Sequence, residues 1–450
     1  MATLVAERPR VRDVRLPAWP LTGILLLYPL WWLLGLGVLA FYLVAAPMAV
    51  LLIRRRLAGH RLRLPPGFVL WLLFLTTVAL GGFSLGANPT GTLEGSASSR
   101  LDSYLFRLLG YLALTVLLVY AGNLDHRELS QHRLVRLLAW LFAITVAGGL
   151  LGIVLPHFEF TSPVEYLLPP HVRADSFVQS LVHPTAAQIM NLLGGETARP
   201  GAPWGYTNTW GNNACLLIGW TIVLGWGYLT SRRTKALALA TLAVSTIPIV
   251  YSLNRGLWID LGIMAVYAAV RLALRGRLLA LAAIGAAGVV LAGAVVLTPL
   301  GDVVSARLDD GKSNGVRMFI TTKAIEGTFE SPLIGFGSTR STQGGRHSIA
   351  VGQSSDCERC GNFTIGGDGQ LWQLLFAHGV IGAVTYLGFF VVGLWRFRRD
   401  ATAIGLAAGA AIVSTFGAML WYNALVTPLA LLLLGYGLLW RADREQATMQ

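Results

Sequence analysis

Three residues of this chain carry side chains whose types and setting could act together: Arg255, Arg317 and Asp368. Arg255 lies in Ser252-Leu253-Asn254-Arg255-Gly256, between two apolar runs. A guanidinium there could snorkel to lipid phosphate, or it could grip an anionic, phosphate-bearing ligand in bidentate fashion. Arg317 follows Asn314-Gly315-Val316 at the opening of a helical pattern, where the helix dipole opposes a cation. A plain surface tolerates that; facing a cavity above Arg255, the second arginine would complete a clamp for a diphosphate. Asp368 sits in Thr364-Ile365-Gly366-Gly367-Asp368-Gly369-Gln370. It could simply N-cap the helix that follows. It could also take the proton of an attacking hydroxyl, with the neighbouring glycines letting a ligand approach the backbone. His347, in Gly344-Gly345-Arg346-His347, is the reserve acid–base group.

Amides would line the same cavity: Asn213, Asn254, Gln370 and Gln373. Gln370 and Gln373 share a helix face, and amides in an apolar helix turn toward a cavity or the helix bundle. Capping and interhelical hydrogen bonds would also account for the asparagines of Asn208-Thr209-Trp210-Gly211-Asn212-Asn213. His378 reads first as a packed core histidine. Asp260 lies five positions past Arg255, so the two point about 140° apart on a helix and need not pair. Cys357-Glu358-Arg359-Cys360 favours a disulfide, Cys357–Cys360, since two cysteines with no nearby ligand set suit no zinc site. No phosphate-binding glycine loop, dinucleotide fingerprint, HExxH or nucleophile elbow occurs. No cofactor or metal is expected, and any synthesis must draw on an already activated substrate.

The elements that must position these groups follow from composition. Of 450 residues, 54% are hydrophobic and 13% charged, against roughly 25% charged in a soluble domain. Basic clusters at the ends of apolar runs explain the net charge of +13 better than nucleic acid does. Apolar runs at 68–87, 104–121, 137–155, 211–229, 236–251, 257–274, 278–297 and 369–394 each suit one membrane span. The longer runs 20–53 and 404–440 would reach roughly 50 Å as single helices, so each reads as a hairpin. The expectation is an all-α, polytopic membrane bundle of about twelve helices forming one domain over 1–450. The positive-inside rule places both termini on the cytoplasmic side. Two long extracytoplasmic loops remain, 156–210 and 298–368. The first should hold short helices such as 176–193, and the second an amphipathic helix at 314–330 stopped by Ser331-Pro332.

Several segments resemble the O-antigen ligase and polymerase (WaaL/Wzy) superfamily over roughly 205–395. They are the asparagine-rich stretch Asn208 to Asn213, Ser252-Leu253-Asn254-Arg255-Gly256, and Arg317 followed by Phe329-Glu330-Ser331-Pro332-Leu333-Ile334-Gly335-Phe336-Gly337. The last is Gln373-Leu374-Leu375-Phe376-Ala377-His378-Gly379-Val380-Ile381-Gly382. The resemblance implies a GT-C-like, metal-independent glycosyltransferase in a bacterial inner membrane, its site facing the periplasm or cell exterior. Its donor would be a glycan on a polyprenyl diphosphate, its acceptor a glycan or lipid hydroxyl, with membrane lipids as further partners. Arg255 and Arg317 fall where the family's arginines fall. Many ligases carry a His-Asn pair where this chain has Asp368-Gly369, so Asp368 would replace the base, or mark a different acceptor or a loss of activity. Ligase and polymerase are not separated by these motifs. A transporter using Asp260, His378 and Gln373, or a non-catalytic scaffold, stands as the alternative.

Overall fold

The computed structural model describes residues 15–192, 195–297, 301–302, 304–305, 312–342 and 363–449. The chain is mostly helical. In order run α1 (Trp19–Leu26), α2 (Tyr28–Leu33), α3 (Leu39–Leu57), α4 (Phe68–Leu80), α5 (Leu101–Asn123) and α6 (Gln131–Val154). Three short helices follow, α7 (Pro163–Leu167), α8 (Pro170–Arg173) and α9 (Ser176–Val182). Then come α10 (Thr207–Val223), α11 (Arg232–Tyr251), α12 (Arg255–Ala273), α13 (Leu278–Val296) and α14 (Lys312–Glu330). The chain closes with α15 (Gln370–Arg396), α16 (Ala403–Ala418) and α17 (Thr427–Met449). Two antiparallel pairs interrupt the helices: β1 (Ala187–Leu192) with β2 (Gly195–Pro200), and the two-residue strands β3 (Arg340–Ser341) and β4 (Thr364–Ile365).

This corrects the twelve-span expectation. Among the described residues five helices are long and apolar enough to cross a membrane: Ser98–Asn123, Gln131–Val154, Arg232–Tyr251, Arg255–Ala273 and Gln370–Arg396. Their burial is mixed, from 17% to 56% of the apolar window. A clear multi-pass bundle is not what forms. The GT-C-like fold, the cytoplasmic termini, the multi-pass placement in a bacterial inner membrane and the periplasm-facing site fall with it. The physical reason is that an apolar run has two uses. A helix apolar on every side belongs equally to lipid or to the middle of a large core. From Leu429 to Trp440, α17 is buried at every position, walled in by other helices. Other runs fold into helices too short to span, with eight residues in α1, six in α2, 13 in α4 and 16 in α16.

The long runs do divide. The run 20–53 breaks between α2 and α3, and 404–440 breaks at 419–426. In the first long loop the helix expected over 176–193 ends at Val182, because Pro184 disfavours helical backbone at His183, and Ala187–Leu192 pairs as a strand instead. In the second, the helix expected over 314–330 spans Lys312–Glu330.

The local chemistry that shapes the region near Asp368 is a broken helix. Within α15, Gly379 has φ 64° and ψ −172°, a conformation open essentially to glycine alone. The break frees backbone groups that a buried helix must satisfy elsewhere. Segment 332–337 supplies the partners. Val380 donates to the Pro332 carbonyl at 2.7 Å, Phe336 to that of Phe376 at 3.0 Å, and Gly337 to that of Ala377 at 2.8 Å. Only glycines fit this backbone-to-backbone seam: a Cβ on Gly335 would lie 2.5 Å from the Ala377 carbonyl carbon, and one on Gly379 2.4 Å from Leu333. An aromatic nest then clamps the second half of α15 to α4 and α17. Trp71 lies 5.0 Å from Phe389, and Tyr436 stacks on Phe389 at 4.8 Å.

Candidate functional site

Arg255 opens α12 directly after a strained connection. Leu253 has φ 53°, the one positive φ outside glycine among the described residues, and it is buried. Such an outlier persists only where its surroundings over-determine it, and outliers of this kind concentrate at functional sites. Here the surroundings are specific. Ser252 N–H donates to the Pro248 carbonyl at 2.9 Å, and the Ser252 carbonyl accepts from Arg199 Nε at 2.6 Å. Asn254 Nδ2 donates to the Thr207 carbonyl at 3.4 Å, and Asn254 Oδ1 accepts from the Tyr422 hydroxyl. Two glycines make room for this. A Cβ on Gly211 would stand 2.7 Å from Asn254 Nδ2, and one on Gly256 2.3 Å from the Trp421 ring. The segments 208–213, 252–256 and 421–422, far apart in sequence, thus share one buried polar knot.

Asp368 stands two residues before Gln370, whose N–H meets the Tyr422 carbonyl. It does not cap α15: the N-cap position is Gly369, with no side-chain cap bond. The first N–H groups of the helix are satisfied by backbone. Gln370 donates to the Tyr422 carbonyl at 2.8 Å and Leu371 to that of Met419 at 3.0 Å. A Cβ on Gly369 would meet those of Met419 and Leu420 at 2.8 Å, which accounts for the glycine. The carboxylate is thereby left for other work.

Burial raises the Asp368 carboxyl above the usual carboxylate range, opposed by the positive charge of Arg317. Burial also holds the Tyr422 phenol well above its ordinary value; Asp260 adds to this, while Arg317 and Arg199 oppose it. Arg317, Asp368, Tyr422, Arg199 and Asp260 therefore occupy one electrostatic neighbourhood. Arg317 and Asp368 feel each other yet stand outside the 4.0 Å limit of an ion pair. Among the described residues neither side chain has a hydrogen bond or ion pair. Arg317 and Asp368 thus face each other electrostatically without being tied into an ion pair.

The amides behave less uniformly than expected. Gln370 is committed to structure: its Oε1 accepts from Ala424 N–H at 2.9 Å and its Nε2 donates to the Tyr111 hydroxyl at 3.3 Å. Asn213 Nδ2 donates to Thr427 Oγ1 at 2.9 Å, while its buried Oδ1 has no partner among the described residues. Gln373 is buried, its Cα lying 3.3 Å from where a Cβ on Gly366 would sit. Asp260 accepts from Trp421 Nε1 at 3.2 Å. His347, Cys357 and Cys360 lie outside the described residues.

Arg199 and Tyr422 were not anticipated from sequence. Trp421-Tyr422-Asn423 was the available signal, a polar interruption inside the apolar run 404–440. Asn423 Nδ2 donates to the Gly367 carbonyl and so fixes the residue before Asp368.

The membrane and transmembrane reading drawn from composition is not supported by the fold, and the transferase, O-antigen-ligase, polysaccharide, cell-envelope and undecaprenyl-diphosphate readings drawn from the resemblance find no backing outside the chain itself. No family model matches this protein, and no curated protein does.

Proposed function

We propose that the protein transfers a glycan from a polyprenyl-diphosphate-linked donor to an acceptor hydroxyl. The observation that carries this is that Arg317 and Asp368 feel each other's charge without forming an ion pair. In the reaction the acceptor oxygen forms a bond to the anomeric carbon and the bond from that carbon to the phosphate oxygen breaks. Asp368 takes the acceptor proton, and polyprenyl diphosphate leaves with the extra negative charge. Arg255 and Arg317 stabilise that charge, the kind of stabilisation that contributes most when the donors are pre-placed. Burial moves Asp368 toward the range where a general base works near neutrality, which suits a carboxylate standing where a histidine would otherwise stand. An acceptor that is itself donor-linked would make the same chemistry a chain extension.

Purified protein given lipid-linked oligosaccharide and a panel of acceptors tests this. Asp368→Asn should lower turnover by about 10²–10⁴-fold, and an Arg255→Ala/Arg317→Ala double variant by at least about 10²-fold. Equal transfer by wild type and the double variant would remove the clamp, and unchanged turnover in D368N would remove the base.

A further inference from the structure

Three arginines outside this cluster gather in one place without a carboxylate. Arg340 is pushed down to about 10 by burial, and by the charges of Arg100 and Arg107. Among the described residues the ion pairs involve His183, Lys323 and Arg396, and none of these three arginines. Arg100 and Arg340 are spent on structure. Arg100 Nη1 donates to the carbonyls of Leu85 and Ala87, at 2.8 and 3.0 Å. Arg340 Nη2 reaches the carbonyls of Ser84, Leu85 and Phe336, all within 3.2 Å. Together they fasten the turn after α4 to the start of α5 and to β3.

Arg107 is different. Among the described residues its Nη2 makes one long bond, 3.3 Å to Thr339 Oγ1, and its Nη1 is buried with no partner. The residue as a whole is only half-buried. A second buried polar group belongs to the same neighbourhood. His378 is fully buried, packed edge-on to Phe74 at 5.8 Å and Tyr111 at 6.2 Å, and among the described residues its ring nitrogens have no hydrogen-bond partner beyond a backbone contact with Ala377. Arg107 lies within electrostatic reach of both His378 and Tyr111. Buried polar atoms are almost always partnered. An unpartnered guanidinium nitrogen and a poorly partnered imidazole within electrostatic reach of each other, under the added potential of two further guanidiniums, describe a place suited to negative charge.

We infer that Arg107, with Thr339 and His378, binds an oxyanion: the phosphate or the carboxylate group of a ligand. The geometry suits one planar guanidinium fork, with Thr339 Oγ1 and a neutral imidazole N–H as the additional donors. Gln370 bonds Tyr111 on this side and Ala424, two residues past Tyr422, with its other end. Occupancy requires no transfer chemistry, so the two sites can be tested apart.

Isothermal titration of the purified full-length chain with sodium pyrophosphate, and separately with sodium glucuronate, reads the site. Binding of either probe that weakens about tenfold to a hundredfold in Arg107→Gln, and less in Arg107→Lys, is the expected result. Pyrophosphate would identify a phosphate ligand and glucuronate an acidic sugar. Thermal unfolding without ligand guards against a folding artefact: R107Q should be no less stable than wild type, since it loses one long hydrogen bond and relieves like-charge repulsion. Equal binding by wild type and R107Q overturns the site. So does binding lost in Arg317→Ala but kept in R107Q, and so does an R107Q variant that unfolds earlier while neither probe binds wild type.

Discussion

Gly379→Ala tests the seam that positions the start of α15. Gly379 has φ 64° and ψ −172°, and a methyl group there would fall 2.4 Å from the Leu333 carbonyl carbon and oxygen. Placing alanine in this backbone region costs about 1–3 kcal/mol. The steric overlap adds to that. Close-packed backbone must retreat by roughly 0.6 Å or more before the contact becomes tolerable, and the flanking bonds from Val380 to Pro332 and from Gly337 to Ala377, at 2.7 and 2.8 Å, open with it. Each is worth about 0.5–1.5 kcal/mol net. The total comes to about 2–6 kcal/mol, which speeds local opening by at least about thirtyfold. Amide hydrogen exchange at Phe336, Gly337 and Val380 measures this directly. Gly262→Ala is the matched control: nothing lies within 4 Å of its added Cβ, and it sits exposed within α12. There alanine should stabilise by about 0.8–1 kcal/mol. Wild-type exchange rates at the three amides in G379A, or equal damage from G262A, would refute the broken helix and its backbone partners.

Two further outcomes follow from buried carboxylates of opposite kind. Asp368 is raised by burial against the pull of Arg317, so its ionised form weakens the fold once pH exceeds the unfolded value of about 3.9. D368N should therefore be more stable than wild type at neutral pH in thermal unfolding, the gap closing as acid protonates the wild-type carboxyl; a less stable D368N at neutral pH would contradict this sign. At Glu165, burial alone would raise the carboxyl, but hydrogen bonds from Gln179, His183 and Ser162 N–H prevail and hold it below its usual range. Its stabilisation is present above the unfolded value and lost as pH falls through the folded one. Glu165→Ala should cost about 1.5–3 kcal/mol at neutral pH, and a melting temperature unmoved by the change would show that the short helices after Ser162 do not depend on it.

Much of this was legible in local pattern. The helix at Lys312–Glu330 announces itself by apolar period and by Ser331-Pro332, because both causes are local. The runs 20–53 and 404–440 do divide, although the membrane thickness and charge map that suggested it belong to the bundle that does not form. The strand Ala187–Leu192 was misread because Pro184 ends one helix without declaring what comes next, and pairing with Gly195–Pro200 is a matter of register. The span count failed for a different reason. Hydropathy records that a side chain avoids water, but not whether lipid or protein surrounds it, and α17 answers protein at position after position.

The site divides along the same line. Arg255, Arg317 and Asp368 stand out because charge is scarce in so apolar a chain, and scarcity is visible in one dimension. What sets their arrangement is not. The stretch from Phe329 to Gly337 and the stretch from Gln373 to Gly382 look like separate short motifs in sequence, but in three dimensions each supplies the other's missing backbone partners. The glycines of one exist because of the carbonyls of the other: Gly335 faces Ala377, and Gly379 faces Leu333. A side chain at either position would pry the seam open, and α15 would lose the fixed start from which Asp368, Gln370 and Gln373 take their places. The spacing of the two motifs is thus a consequence of one packing contact. That contact explains why the segment 332–337 has to be glycine-rich, and why the helix beginning at Gln370 has to break where it does.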